Sequence, residues 1–346
     1  MSERIEIRTL TDGGQQPPEV ARLIAAFLDG AERTLDLAQY DFNLGAETAG
    51  IVGDAIRRAA ARGVRVRFVY NVDHANPIPV PPPPEPDVQL IATLPVEAMP
   101  IAGVPDLMHH KYVIRDSHSV WTGSLNWTDD SFSRQENALA IVHSDAIAKA
   151  YDLDFGQLWT TADVEQTGFV DPRWDDGVRA WFTPGHGEDV SARIAKMIRR
   201  ARKRVRICSP LITTGPVLGT LAQVIADRSV DLAGCVDATQ VREVIHQWRM
   251  NSNVSWKLPL LQQVMAGPFT GKVSTPYGDG TVHDFMHAKV CVCDDTVFLG
   301  SFNLSRSGER NAENVLEIQD AALAERLSRF VDAVRALYPP VTLPPA

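Results

Sequence analysis

Residues 108–116 read Met-His-His-Lys-Tyr-Val-Ile-Arg-Asp, and residues 286–294 read Met-His-Ala-Lys-Val-Cys-Val-Cys-Asp. The apolar runs predict a strand over 108–114 and another over 286–292. Side chains of a strand alternate faces with period two. His109 and Lys111 therefore share one face, with His110 turned away. His287 and Lys289 share the equivalent face, with Ala288 turned away. Each copy continues alike: Gly123-Ser124-x-Asn126 and then Glu136-Asn137, Gly300-Ser301-x-Asn303 and then Glu313-Asn314. Asn leads Glu by ten residues in both copies, and only the Asp-to-Gly step differs, by one residue, as in a shortened hairpin turn.

The repetition extends outward. Val20, Leu23, Ile24, Phe27 and Leu28 fall at helical spacing after Pro17-Pro18-Glu19. A strand-like run follows from Thr34 to Phe42, then a helix over Glu47 to Arg62 stopped by Gly63, then an alternating strand from Val64 to Tyr70. In the second half Val190, Ile194, Met197, Ile198 and Ala201 mark a helix. Val205 to Ser209 is a strand, Val217 to Ala226 a helix and Val230 to Val236 a strand. Helix-strand-helix-strand thus precedes each His-Lys segment, the pattern of an internal duplication about a pseudo-two-fold axis. The halves are read as residues 1–165 and 180–346, joined by 166–179. Asn76 to Pro86, with Pro81 to Pro84, is neither helix nor central strand and is read as a stiff surface loop. Leu94 to Met108, apolar but broken by Pro100 and Pro105, is read as a lip of the site.

With 346 residues, 45% hydrophobic and 22% charged, the chain is globular and has ample core. A net charge of -9 disfavours long-range attraction of polyanions. The start, Met1 to Glu6, carries no secretion signal, and no apolar run reaches the roughly 18 residues of a membrane span. A cytoplasmic location is expected, with peripheral membrane contact left open. Cys208, Cys235, Cys291 and Cys293 sit in strand-like apolar contexts and are read as buried thiols. No spacing recommends a metal site.

The paired motifs are made for an anion. Gly123 and Gly300 permit close approach of the chain to a bound group. Ser124, Ser301, Asn126 and Asn303 supply neutral donors. A carboxylate accepting from one imidazole nitrogen fixes the tautomer and frees the other nitrogen. Both copies are similar to the His-Lys-Asp signature of the phospholipase D superfamily, trailing Gly-Ser-x-Asn and Glu included. The resemblance covers His109 to Asn137 and His287 to Asn314 in its motif blocks and most of the chain in its pattern.

The resemblance implies an α/β fold of two similar halves, each a mixed sheet flanked by helices, with one shared active site, so that a single chain suffices to build it. It implies a metal-independent phosphodiesterase working through a phosphohistidine and needing no cofactor. His109 is then the nucleophile and His287 the acid and base. Lys111, Lys289, Asn126 and Asn303 cradle the phosphate oxygens, and Glu136 and Glu313 orient the imidazoles. Asp116 and Asp294 brace the structure. Two substrate classes remain. Phospholipase D-type hydrolysis or headgroup transfer on glycerophospholipids draws on the apolar lip (Met99, Ile101, Val104, Leu107). A cytosolic nuclease draws on Arg199 to Arg204 and on Trp121 and Trp127 as stacking platforms, although the basic run also reads as the solvated face of a helix and Trp121 as core. A binding protein with a dead site is a third reading, but both histidines, lysines and asparagines are present.

Overall fold

Alternating apolar residues gather most of the strands into two seven-stranded sheets of the same order, and Phe42–Asn43 pairs apart from them with Trp127–Thr128. The computed structural model describes residues 4–74, 85–251, 253–278 and 281–343. The first half contains β1 (Ile5–Leu10), α1 (Pro17–Asp29), β2 (Thr34–Gln39), β3 (Phe42–Asn43), α2 (Ala46–Ala61), β4 (Arg65–Val72), α3 (Val88–Ala92), β5 (Glu97–Ala102), β6 (Lys111–Arg115), β7 (Ser119–Gly123), β8 (Trp127–Thr128), α4 (Asp129–Ser133), β9 (Asn137–His143) and α5 (Asp145–Thr161). The second contains β10 (Val178–Thr183), α6 (Gly187–Arg200), β11 (Arg204–Cys208), α7 (Gly215–Asp227), β12 (Asp231–Asp237), α8 (Ala238–Met250), α9 (Leu258–Met265), β13 (Phe269–Lys272), β14 (Val290–Cys293), β15 (Thr296–Gly300), α10 (Arg306–Arg310), β16 (Glu313–Gln319) and α11 (Ala321–Ala336). The sheets run β1-β9-β7-β6-β2-β4-β5 and β10-β16-β15-β14-β11-β12-β13, strand for strand equivalent. The α/β fold of two like halves is the one the duplication implies.

Burial explains the layering. One apolar cluster draws on both sheets, with Ala38, Tyr112 and Ala140 from the first and Phe182, Val292 and Leu316 from the second, together with α5 and α11. A second cluster lies under α1 and α2, and a third under α6, α7 and α9. Each sheet is thus covered on its outer face by its own helices, and the inner faces share one core. Fully burying an apolar side chain contributes about 1.5–3 kcal/mol, so the halves have a strong reason to stay joined.

Several elements differ from the sequence reading. The run from Thr34 to Phe42 breaks after Gln39, because the Tyr40 N–H turns to the carbonyl of His110 and the Asp41 carbonyl accepts from Trp127. The edge strands β1 and β10 and the helices α5, α8, α9 and α11 lie outside the paired helix-strand units and motif blocks on which the sequence reading rests. The stretch from Leu94 to Met108 is not simply a lip: Glu97–Ala102 is a parallel edge strand beside β4, with Ile101 fully buried and Val104 exposed. Of the proline-rich break, 75–84 lies outside the described residues. No helix among the described residues is long and apolar enough to cross a membrane.

The His-Lys strands also begin later than their pattern predicts, at Lys111 and Val290. The histidine backbones pair across the halves instead. Met108 bridges Ala312, and Glu136 bridges Met286. The His109 N–H donates to the Ala312 carbonyl at 2.9 Å and the His287 N–H to the Glu136 carbonyl at 3.2 Å.

Candidate active site

Each histidine is held by the opposite half through its ring as well as its backbone. His109 Nδ1 lies 2.9 Å from Glu313 Oε2. His287 Nδ1 lies 3.2 Å from Asn137 Oδ1, which also accepts from Ser124 Oγ at 2.7 Å. An acceptor at Nδ1 places the proton there and leaves Nε2 with its lone pair. Both rings are buried, at 6% and 8% exposure. Lys111 and Lys289 are buried beside them, and each Nζ donates to the carbonyl of its own histidine at 2.8 Å. The ring of Tyr40 packs on the His109 ring with centroids 4.5 Å apart, and Lys111 Nζ sits 4.7 Å above the same tyrosine.

The electrostatics describe a site short of negative charge. Burial, Lys111 and Lys289 hold the His109 imidazolium form far below its ordinary range. Burial, Lys289, Lys111 and His109 do the same to His287. Burial brings Lys111 down to about 7 and lowers Lys289 strongly. Burial disfavours the charged form of all four basic groups, and the lysines add to it at both histidines; a bound anion would reverse the effect. Glu313, raised by burial to about 7, is the carboxyl on the other side of His109.

The two asparagines of the Gly-Ser-x-Asn segments each keep a buried amide oxygen without a partner, an acceptor left unsatisfied. Gly123 and Gly300 allow the chain to pass close behind the site. A Cβ at Gly123 would lie 2.4 Å from the Ala138 carbonyl oxygen, and one at Gly300 2.1 Å from that of Asn314. The amide N–H groups of Ser124 and Ser301 donate to those same two carbonyls, and Ser301 Oγ accepts from the Asn314 amide.

Asp116 and Asp294 stand apart from the reacting centre. The Asp116 carboxylate accepts from the backbone amides of Glu32, Arg33 and Thr34. The Asp294 carboxylate accepts from those of Arg202, Lys203 and Arg204. Each ties its hairpin turn to the start of the neighbouring strand.

Glu136 is placed differently from the expectation. Its carboxylate faces Lys272 Nζ at 3.1 Å and accepts from the Tyr338 hydroxyl, while Asn137 serves His287. Strand register explains the asymmetry. Asp237 accepts from the Met286 amide and Asn71 from the Met108 amide, so those two positions are equivalent. Lys272 pairs with Asp237 and Ile101 with Asn71. The position matching Lys272 is thus an isoleucine that offers no cation, and the Glu313 carboxylate turns to His109. The asparagines diverge for a similar reason. Asn314 Nδ2 reaches His110 Nδ1 at 3.3 Å, whereas the residue matching His110 is Ala288, which offers Asn137 nothing.

Asn71, Asn137, Asp237 and Lys272 all escaped the sequence reading. The repeated Glu-Asn dipeptide was the visible signal for Asn137. The other three belong to no repeated pattern. Trp127 and Trp121 are 0% and 3% exposed and pack in the core, so neither offers a face to a base. Arg199 and Arg200 lie on the exposed last turn of α6. Among the described residues no group of three or more His, Cys, Asp and Glu side chains is placed to hold a metal ion.

A family profile described as "Cardiolipin synthase, PLD-like domain" matches twice, over residues 24–159 and 194–334. The chain is similar to the mitochondrial cardiolipin hydrolase of Homo sapiens, 26% identical over 158 residues, 46% of this chain and 58% of that protein. The Xenopus laevis protein of the same name is 30% identical over 147 residues, 41% and 62% of the two chains. The phospholipase D of Rickettsia conorii is 27% identical over 135 residues, 39% and 62%. The chain spans less than two-thirds of the length of these relatives. In fold it is similar to the phosphatidylserine synthase of Haemophilus influenzae Rd KW20, with a TM-score of 0.65 at 14% identity over 96% of this chain and 86% of that one.

Proposed function

This chain belongs to the phospholipase D superfamily, matched by its PLD-like domain in both halves, and on that premise we propose that it cleaves phosphodiesters of glycerophospholipids through a phosphohistidine. The observation that carries the reading is the pair of buried imidazoles, each locked at Nδ1 by the opposite half and accompanied by two buried lysines whose charged forms burial disfavours until an anion is bound. Bound phosphodiester supplies that anion and raises the proton affinity of His287 and both lysines.

His109 Nε2 attacks phosphorus, and the bond from phosphorus to the departing oxygen breaks. His287 delivers a proton to that oxygen. Water, or an alcohol, then gives its proton to His287 as its oxygen attacks phosphorus. The N–P bond breaks and the lone pair returns to His109. Glu313 decides the direction. A carboxylate behind Nδ1 stabilises the charge that develops on the attacking ring, and only His109 has one. Lys111 and Lys289 offset the approach of a nucleophile to an anion. General acid catalysis by His287 is typically worth ~10²–10⁴ in rate.

The tryptophans that would stack bases are packed in the core, and Arg199 and Arg200 lie on the outer helix α6 and not on the His-Lys strands, so the lipid class is favoured over the nuclease. Incubation with phospholipid vesicles and a primary alcohol should yield a phosphatidyl-alcohol, with acid-labile phosphate trapped on His109. Fragmentation of single-stranded DNA or RNA without lipid turnover would refute the substrate class. Label on His287 would reverse the roles.

A further inference from the structure

The unsatisfied acceptors of Asp41 lie next in the chain to Tyr40, whose ring packs on His109. Both carboxylate oxygens of Asp41, Gln135 Oε1 and His283 Nε2 are buried without a partner, and Asp41 is 2% exposed. Asp41 is tied to this region through its backbone, its carbonyl accepting from the Trp127 N–H at 3.1 Å, three residues before Asp130. Gln135 Nε2 donates to the His283 carbonyl at 3.2 Å, and the His283 N–H donates to Asp130 Oδ2 at 2.8 Å. His283 Nδ1 lies 2.7 Å from the Thr275 carbonyl, so it carries the ring proton and Nε2 is left as a bare acceptor. The Tyr277 ring lies against His283, centroids 3.5 Å apart, and Asp41, Tyr40 and Asp130 all act on its phenol. Toward the histidines, Lys111 is the cation acting most strongly on Asp41, opposed by Asp130 and Glu85.

A buried carboxylate without a donor is costly, and unsatisfied acceptors beside aromatic rings call for a cation that brings N–H groups. The Asp41 carboxyl, pushed by burial to about 7, would be held ionised by such a partner. We propose that Asp41, with Tyr40, Tyr277 and His283 around it, is a specificity subsite for a primary ammonium carried next to the phosphodiester. This rests on the phosphodiesterase reading above. A primary ammonium donates three hydrogen bonds and meets both oxygens of Asp41, whereas a neutral glycerol arm leaves the carboxylate without a counter-charge.

The test compares kcat/KM for phosphatidylethanolamine and phosphatidylglycerol in vesicles of otherwise equal composition, and for the soluble pair glycerophosphoethanolamine and glycerophosphoglycerol. The wild type should favour the ethanolamine member about tenfold or more, and Asp41→Asn should bring the ratio to within about twofold of one. Preference in vesicles alone identifies a lipid source, and preference in the soluble pair a free diester; either supports the subsite. A wild-type ratio near one, or a ratio that survives Asp41→Asn, overturns it. Should Asp41→Asn not fold, phosphoethanolamine must inhibit wild-type turnover of bis(4-nitrophenyl) phosphate about tenfold better than glycerol phosphate, and equal inhibition overturns the proposal. Failure to turn over any of these diesters defeats the phosphodiesterase reading itself, while turnover without headgroup preference defeats only the subsite.

Discussion

Exchanging Glu313 for Gln tests which imidazole attacks, because it removes one charge from behind His109 and keeps the shape. The pair, 2.9 Å apart, shares a proton whose loss is set by a carboxyl raised by burial to about 7. Below that pH one extra proton is present, in either of two arrangements. A neutral Glu313 donates to Nδ1, which leaves the ring hydrogen on Nε2. An ionised Glu313 faces an imidazolium, again with hydrogen on Nε2. The lone pair is missing in both, so kcat/KM should fall as pH drops through about 7, a macroscopic value that belongs to the pair. A glutamine amide oxygen still accepts from Nδ1, so the tautomer persists. The acid limb then follows His109 alone, which burial, Lys111 and Lys289 hold well below its ordinary range, and should move to lower pH. The plateau should fall as well. Exchanging a charge-assisted hydrogen bond for a neutral one costs about 1–2 kcal/mol, or about 5–30-fold in rate. The assay is kcat/KM for bis(4-nitrophenyl) phosphate from about pH 5 to about 9, wild type against variant. A limb with the same midpoint in both proteins would refute the assignment of that proton to the pair.

Lys272→Met leaves Glu136 buried without its cation and should cost about 3–5 kcal/mol in urea unfolding; adding Glu136→Gln should restore most of it, and a silent single variant would contradict the pairing. Asp116→Ala strips the acceptor from three amides and should lower stability by about 2 kcal/mol. Burial alone would raise the Asp116 carboxyl, but the amides of Thr34, Glu32 and Arg33 outweigh it and depress the value in the folded state. Its contribution is therefore present above the unfolded value of about 3.9 and lost as pH falls through the folded one; a variant matching the wild type at pH 7 would disprove the brace. His109→Ala and His287→Ala should each abolish turnover, the double variant being no worse than either; near-normal activity in one would separate the halves. Turnover should persist in EDTA, because two histidines supply both nucleophile and proton; loss reversed by a divalent ion would overturn that mechanism.

How far the sequence reaches depends on whether a residue belongs to something repeated or alternating. His109 with Lys111, and His287 with Lys289, are legible because period two forces each pair onto one face and the chain contains both copies. The tandem helix-strand pattern likewise implies two like sheets. Three-dimensional packing decided what came from positions with no internal partner. Glu136 and Glu313 are indistinguishable as text. They diverge because the position that gives Glu136 its lysine, Lys272, is matched in the other half by Ile101, a comparison between strands far apart in the chain. Asn137 reaches His287 because Ala288 is too short to engage it, and both oxygens of Asp41 are buried with no hydrogen-bond donor on them. A strand's own pattern fixes which face a side chain takes, but its neighbour on that face is chosen by the pairing of distant strands, and that pairing decides where each charge finds its partner.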